Sequence, residues 1–161
     1  MWWRLARSEY EARKGEKNRR AFRKIVEAGE VPGILAYAGT EPVGWCAVAP
    51  REAFSGLERS RILARVGAEP VWSVVCFFVA RPWRRKGVTV RLLEAAVAHA
   101  GAGGARIVEG YPVEPKEGKS PDAFVWTGLA AAFRAAGFEE VARRSPTRPI
   151  MRRRITRRRK R

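Results

Sequence analysis

Cysteine, histidine and methionine are all scarce in this chain of 161 residues, which has two Cys, one His and two Met. Cys46 and Cys76 each sit inside an apolar run, with neither a second Cys nor a His beside them. That placement argues against a disulfide framework and against any metal site, and it marks both as small hydrophobes of a reducing compartment. Long apolar runs are also missing: Arg or Glu interrupts each one before the ~18 residues of a membrane span. The opening Met1-Trp2-Trp3-Arg4 lacks the apolar region of a signal peptide, so the expectation is a cytoplasmic protein.

Acidic residues are the other shortage, with 16 Asp and Glu against 33 Lys and Arg for a formal charge of +17. None lies between Arg143 and Arg161, where 11 basic residues gather, so residues 1–142 carry 22 basic and 16 acidic groups. The run Arg157-Arg158-Arg159-Lys160-Arg161 suits phosphates of nucleic acid, a ribosome or anionic lipid, through counterion release. It equally suits a solvated tail. A hydrophobic content of 46% fills one core, and no repeat or linker divides the chain. The expectation is a single domain over 1–155 followed by a basic tail over 156–161.

Ser8 with Glu11 has the spacing of a capping box, and one or two exposed helices are expected over 8–28, with Gly15 as a break. The apolar runs 33–38 and 43–48, joined by Gly39-Thr40-Glu41-Pro42, predict a β-hairpin. A short helix is expected around Leu57 to Leu63. The stretch 71–79, Val-Trp-Ser-Val-Val-Cys-Phe-Phe-Val, has the composition of a strand buried on both faces and is expected at the centre of the sheet. Helical periodicity follows over 88–100, ended by Gly101, Gly103 and Gly104, and a further strand is expected at 105–108. Together these form a parallel-crossover unit. The polar, proline-bearing stretch 112–122 is a candidate functional loop. Asp122 is placed to cap a helix reaching Ala136, and strands over 138–144 and 149–155 close the fold.

Chemistry concentrates at Arg84-Arg85-Lys86-Gly87-Val88-Thr89, between the central strand and the helix after it. A glycine at such a turn lets backbone N–H groups close on a phosphate, the helix N-terminus adds its positive end, and three cations supply charge. A purely structural basic turn has the same composition. Neither G-x-G-x-x-G nor G-x-x-x-x-G-K-[ST] is present, which argues against nicotinamide and nucleoside-triphosphate sites.

The strand, the loop of form R/Q-x-x-G-x-G/A (Arg84, Gly87 and Thr89), its helix, the next strand and the late Ala131–Glu139 segment come in the order and spacing of the GNAT family of N-acetyltransferases, which this sequence resembles. The resemblance implies an α/β fold with a central mixed β-sheet flanked by helices, and acetyl-coenzyme A held between two splayed strands with no metal. It places the pantetheine arm along the backbone of Phe77, Phe78 and Val79. The pyrophosphate falls at Arg84, Arg85, Lys86, Gly87, Val88 and Thr89, and strand amides polarise the thioester carbonyl for direct transfer to an amine. Homodimers are a further implication. Thr89 departs from the small residue usual at its position, although its hydroxyl can still face phosphate. Phe133 stands where many members carry a tyrosine acid, and Ser73 where some protein-acetylating members carry a glutamate base.

Substitutes for those groups are Glu109 as base, or alternatively as an ion-pair partner of a nearby Arg; Tyr111 as acid or wall residue; and Ser73 as holder of a relay water or of a backbone carbonyl. Trp126 with Asp122 is placed to line an acceptor pocket. The expected acceptor is a small-molecule primary amine, since the usual glutamate is absent and the loop 112–122 is long enough to close a compact pocket. A protein or ribosomal amine guided by the basic tail is the second possibility. A non-catalytic acyl-coenzyme A or nucleic-acid binding module is the third.

Overall fold

A computed structural model describes residues 1–115 and 125–156. Two short helices, α1 (Arg7–Ala12) and α2 (Glu16–Glu27), lead into the hairpin of β1 (Gly33–Ala38) and β2 (Glu41–Pro50). A 3-10 turn at Arg51–Ala53 and the single-turn helix α3 (Ser55–Glu58) precede β3 (Trp72–Val79). The chain continues through α4 (Val88–Ala102), β4 (Ile107–Gly110), α5 (Ala130–Ala135), β5 (Glu139–Arg143) and β6 (Pro149–Arg154). The strands form one six-stranded mixed sheet in the order β1-β2-β3-β4-β6-β5. Only the β3/β4 pair is parallel, as a strand-helix-strand crossover requires.

The sheet is covered on both faces. On one, Leu92, Leu93, Ala96 and Ala100 of α4 pack with Val48, Val74, Val108 and Phe133. These α4 positions recur at helical spacing, which is why the segment buries one stripe. On the other face Phe54, Leu57 and Leu63 of the 51–66 connector pack on Ala47, Val75, Tyr111 and Ile150. Among the described residues no helix is long and apolar enough to cross a membrane.

Several expectations need correction. The first helix starts at Arg7 with Ala6 at its N-cap and no side-chain cap, and Glu11 pairs with Lys14 at 2.6 Å instead of completing a capping box. The helix expected near 57–63 ends at Glu58, because the Leu57 and Leu63 carbonyls accept hydrogen bonds from the buried Arg51 guanidinium at 3.3 and 2.8 Å. The late helix is a short α5 that starts at Ala130. Gly128 (φ 86) and extended Leu129 break the chain before it, and residues 125–130 instead bond to Val113 and Phe77. Finally, β3 is buried on both faces only over Ser73–Val75, and Phe78 leaves 58% of its surface exposed.

Candidate functional site

The site forms where β3 and β4 part. Their pairing covers Trp72–Val108, Ser73–Glu109 and Val74–Gly110, after which β4 ends while β3 runs on to Val79. The separation coincides with a bulge: against β2 the register passes from Val48–Val74 to Ala47–Cys76, leaving Val75 without a partner. The Val75 carbonyl accepts the Trp3 indole N–H at 3.1 Å, so the N-terminal segment supports the bulge. At the point of divergence, the ring of Phe133 fills the space that a side chain on Gly110 would need. A Cβ there would lie 2.7 Å from its Cζ.

The opposite wall is the loop into α4. Arg85 (φ 61) and Gly87 (φ 77) both have positive φ, the left-handed region that side-chain-bearing residues rarely adopt, and they shape the turn into α4. Nothing lies within 4 Å of a Cβ built on Gly87, so its backbone angle and not crowding calls for glycine. The helix that follows has 15 residues and presents its unpaired N–H groups and positive dipole end at the same place. Arg84 Nε donates to the Val79 carbonyl at 3.1 Å and ties the loop to the end of β3.

Between these walls lies a cleft of about 480 Å³ lined by Phe77, Phe78, Val79, Trp83, Arg84, Arg85, Gly87, Val88, Thr89, Val90, Val125, Trp126, Gly128, Leu129 and Ala132. The structure thus brings together the sequence-predicted Phe77 to Val79, Arg84, Arg85, Gly87 to Thr89 and Trp126. Lys86 is not among the lining residues; its ammonium lies over the Trp83 ring, 5.2 Å from the centroid. Asp122 lies outside the described residues. An apolar trough between splayed strands, ending at a basic loop and the N-terminus of a 15-residue helix, has the chemistry to take a phosphate-bearing ligand with an extended arm. One group of the trough is engaged: the Phe77 N–H donates to the Trp126 carbonyl at 2.7 Å.

Glu109, Tyr111 and Ser73 also meet, but beneath the cleft and not in its wall. All three have 0% exposure. The Tyr111 hydroxyl lies 2.6 Å from Glu109 Oε1 and 2.8 Å from Ser73 Oγ. Arg51, itself 1% exposed, donates to Glu109 Oε1 at 3.1 Å and to the Tyr111 hydroxyl at 2.6 Å, and Arg152 Nε reaches Glu109 Oε2 at 2.6 Å. Both carboxylate oxygens are occupied, so the ion-pair alternative stated for Glu109 describes the geometry. Burial, reinforced by the neighbouring Glu109 charge, holds the Tyr111 phenol above its ordinary range, which weakens it as an acid. The described partner of the Ser73 hydroxyl is the Tyr111 hydroxyl.

Arg51 was not singled out from the sequence, where it is one of 33 basic residues; its only signal is a cation directly after an apolar strand. Among the described residues that line the cleft there is no carboxylate, imidazole or phenol. Phe133, fully buried, packs edge-on against Phe77 (5.9 Å, 90°) and Phe138.

The sequence matches the model of the acetyltransferase (GNAT) family over residues 1–115. No curated protein matches it at a significant level. Solved structures share the fold at low identity. One is a GNAT-family acetyltransferase of Listeria monocytogenes, with TM-score 0.57 and 8% identity, covering 93% of this chain and 77% of the other. Another is yncA of Salmonella typhimurium, solved with its cofactor acetyl-CoA, with TM-score 0.56 and 13% identity over 92% and 79% of the two chains. A third is the ribosomal-protein-alanine N-acetyltransferase of Brucella melitensis, with TM-score 0.54 and 16% identity over 87% and 78%.

Proposed function

This chain belongs to the GNAT family of acetyltransferases, and on that footing we propose that it moves the acetyl group of acetyl-coenzyme A directly to the primary amine of a small molecule. The observation that carries this reading is the cleft at the β3/β4 divergence, closed at one end by the left-handed Arg85/Gly87 loop. The loop amides and the start of α4 take the pyrophosphate, with Arg84 and Arg85 adding charge. The apolar trough takes the pantetheine arm along Phe77 to Val79. Bound there, acetyl-coenzyme A supplies an activated thioester.

The Phe77 N–H is the donor placed to polarise the thioester carbonyl, and it does so by exchanging the Trp126 carbonyl for the ligand. The acceptor nitrogen bonds to the acetyl carbon as the carbon–sulfur bond breaks, the nitrogen loses a proton and the thiolate takes one up. Among the described lining residues the two guanidinium groups of Arg84 and Arg85 favour the neutral, nucleophilic amine, and the proton passes to water at the open mouth. In this reading Glu109, Tyr111 and Ser73 are positioning residues that brace the strand divergence from below, while Trp126 faces the acceptor.

A protein or ribosomal amine remains the second reading, favoured by the charge of +17 concentrated toward the end of the chain. Removing residues 156–161 separates the two. Small-amine turnover survives the deletion in the first case, whereas capture of a ribosomal partner collapses in the second. Coenzyme binding without thiol release to any amine would instead point to a non-catalytic binding module.

A further inference from the structure

Beyond Gly110, where β4 ends, a tight turn over 125–128 lies against β3. The Gly128 N–H closes it by donating to the Val125 carbonyl at 2.8 Å. The segment after β4 roots it: the Val113 N–H donates to the Gly128 carbonyl at 2.8 Å and the Ala130 N–H to the Val113 carbonyl at 2.9 Å. Its tip offers the Trp126 carbonyl to the Phe77 N–H at 2.7 Å. The turn sits directly on two rings, since a Cβ on Gly128 would stand 2.9 Å from Phe133 Cε2 and 3.0 Å from Phe77 Cε2. Val125, Trp126 and Gly128 line the same cleft as Phe77, so the turn and any extended arm laid along β3 compete for one N–H group.

Two side-chain contacts hold the tip in place. The Trp126 ring lies on that of Trp3, 5.8 Å between centroids and tilted by 36°. From the turn between β5 and β6, Arg148 Nη1 donates to Thr127 Oγ1 at 3.0 Å, and Thr127 is 1% exposed. Arg148 is half-buried, and the Thr127 hydroxyl is the one partner of its guanidinium among the described residues. Burial pulls its pKa below the ordinary value, with no acidic neighbour among those residues to offset it. A cation partly withdrawn from water toward a single neutral hydroxyl is disposed to fix that hydroxyl, not to form an ion pair.

We infer that Arg148 is a positioning residue for coenzyme entry: acting through Thr127, it holds the 125–128 turn over the Phe77 N–H, and acetyl-coenzyme A displaces the turn in order to bind. This rests on the acetyltransferase reading and adds to it a free state in which the chain occupies its own coenzyme cleft. The apparent dissociation constant is then the intrinsic one divided by the fraction of molecules in which the turn has moved aside. Weakening the latch raises that fraction and tightens binding. The expectation runs against simple electrostatics, under which loss of an arginine weakens the binding of a polyanion.

The test is calorimetric titration of the full chain with coenzyme A, with association and dissociation rates from stopped-flow mixing, in the wild type, Thr127→Val, Arg148→Met and the double variant. Thr127→Val removes the acceptor and keeps the charge. Arg148→Met breaks the same bond from the exposed side and carries the test if the first variant fails to fold. Each single change is expected to tighten binding about 3- to 10-fold, the free state having lost one hydrogen bond to a half-exposed cation. The gain is expected in the association rate, with dissociation unchanged, because the latch is absent from the complex; general loosening of the fold would not divide the rates in this way. The double variant is expected to bind no more tightly than the better single one. Unchanged or weaker binding in a folded variant, a gain carried by slower dissociation, or gains that add in the double variant overturn the inference and leave the acetyltransferase reading standing. Failure of the folded wild type to bind coenzyme A or acetyl-coenzyme A removes both.

Discussion

The hydroxyls of Ser73 and Tyr111 lie 2.8 Å apart in the interior, joining β3 to the residue that follows β4 where the two strands separate. Arg51 and Glu109 complete the contact from the connector and from β4. The side chains richest in acid–base chemistry are thus bonded to one another in a buried polar network, and in the proposed reading they hold the shape of the cleft.

Tyr111→Phe tests that assignment. It removes one hydroxyl and leaves Ser73, Arg51 and Glu109 short of a partner in a dry interior, at a cost of about 1–3 kcal/mol in urea unfolding. The pH profile of turnover is expected to keep its shape. A lost or displaced limb in that profile would instead make Tyr111 the catalytic acid.

Gly87→Val places a branched side chain at φ 77, where strain and not a clash opposes it. An L-residue pays ~1–2 kcal/mol there. Acetyl-coenzyme A affinity is expected to fall roughly ten-fold or more as the loop shifts to relieve that strain, while the melting temperature changes little; calorimetry and a thermal scan check both.

Gly110→Ala drives a methyl into the Phe133 ring and is expected to destabilise the fold by about 1–3 kcal/mol. Phe133→Leu in the same chain frees space and is expected to recover part of the loss. A simple sum of the two single effects in a double-mutant cycle would show that the residues do not compete for that space.

Stability is expected to decline on the alkaline side. Burial raises Cys46 from 9.0 to about 12 and Cys76 from 9.0 to about 11, and it raises Tyr111 as well. Each group holds its proton more tightly folded than unfolded, so its contribution is complete below the unfolded pKa and is lost as pH rises through the folded one. For the cysteines the window runs from pH 9 to about 12. Urea unfolding between pH 8 and 12 should show the fall, and Cys46→Ala should flatten part of it.

The order of elements was legible because its signals are local. The apolar run of β3, the periodicity of α4 and the glycines after it each report their own conformation. The loop at Arg84 to Thr89 was legible for the same reason, since glycine at a strand-to-helix turn carries its meaning in place. What lay beyond reach depends on partners distant in the chain. Arg51 and Glu109 are separated by 58 positions, and only the folded sheet shows that the carboxylate is spent on two guanidinium groups. Trp3 under the Val75 bulge escaped notice because a partner 72 positions away gives it its role. The shortened α5 has the same origin: helix-favouring alanines are preceded by residues whose backbone bonds Val113 and Phe77.

The most direct test of the central claim is titration of the full chain with acetyl-coenzyme A, followed in the same samples by thiol release on addition of amine. The account predicts one acetyl-coenzyme A bound per chain and release that depends on the added amine. Absence of coenzyme binding by the intact, folded chain would contradict it.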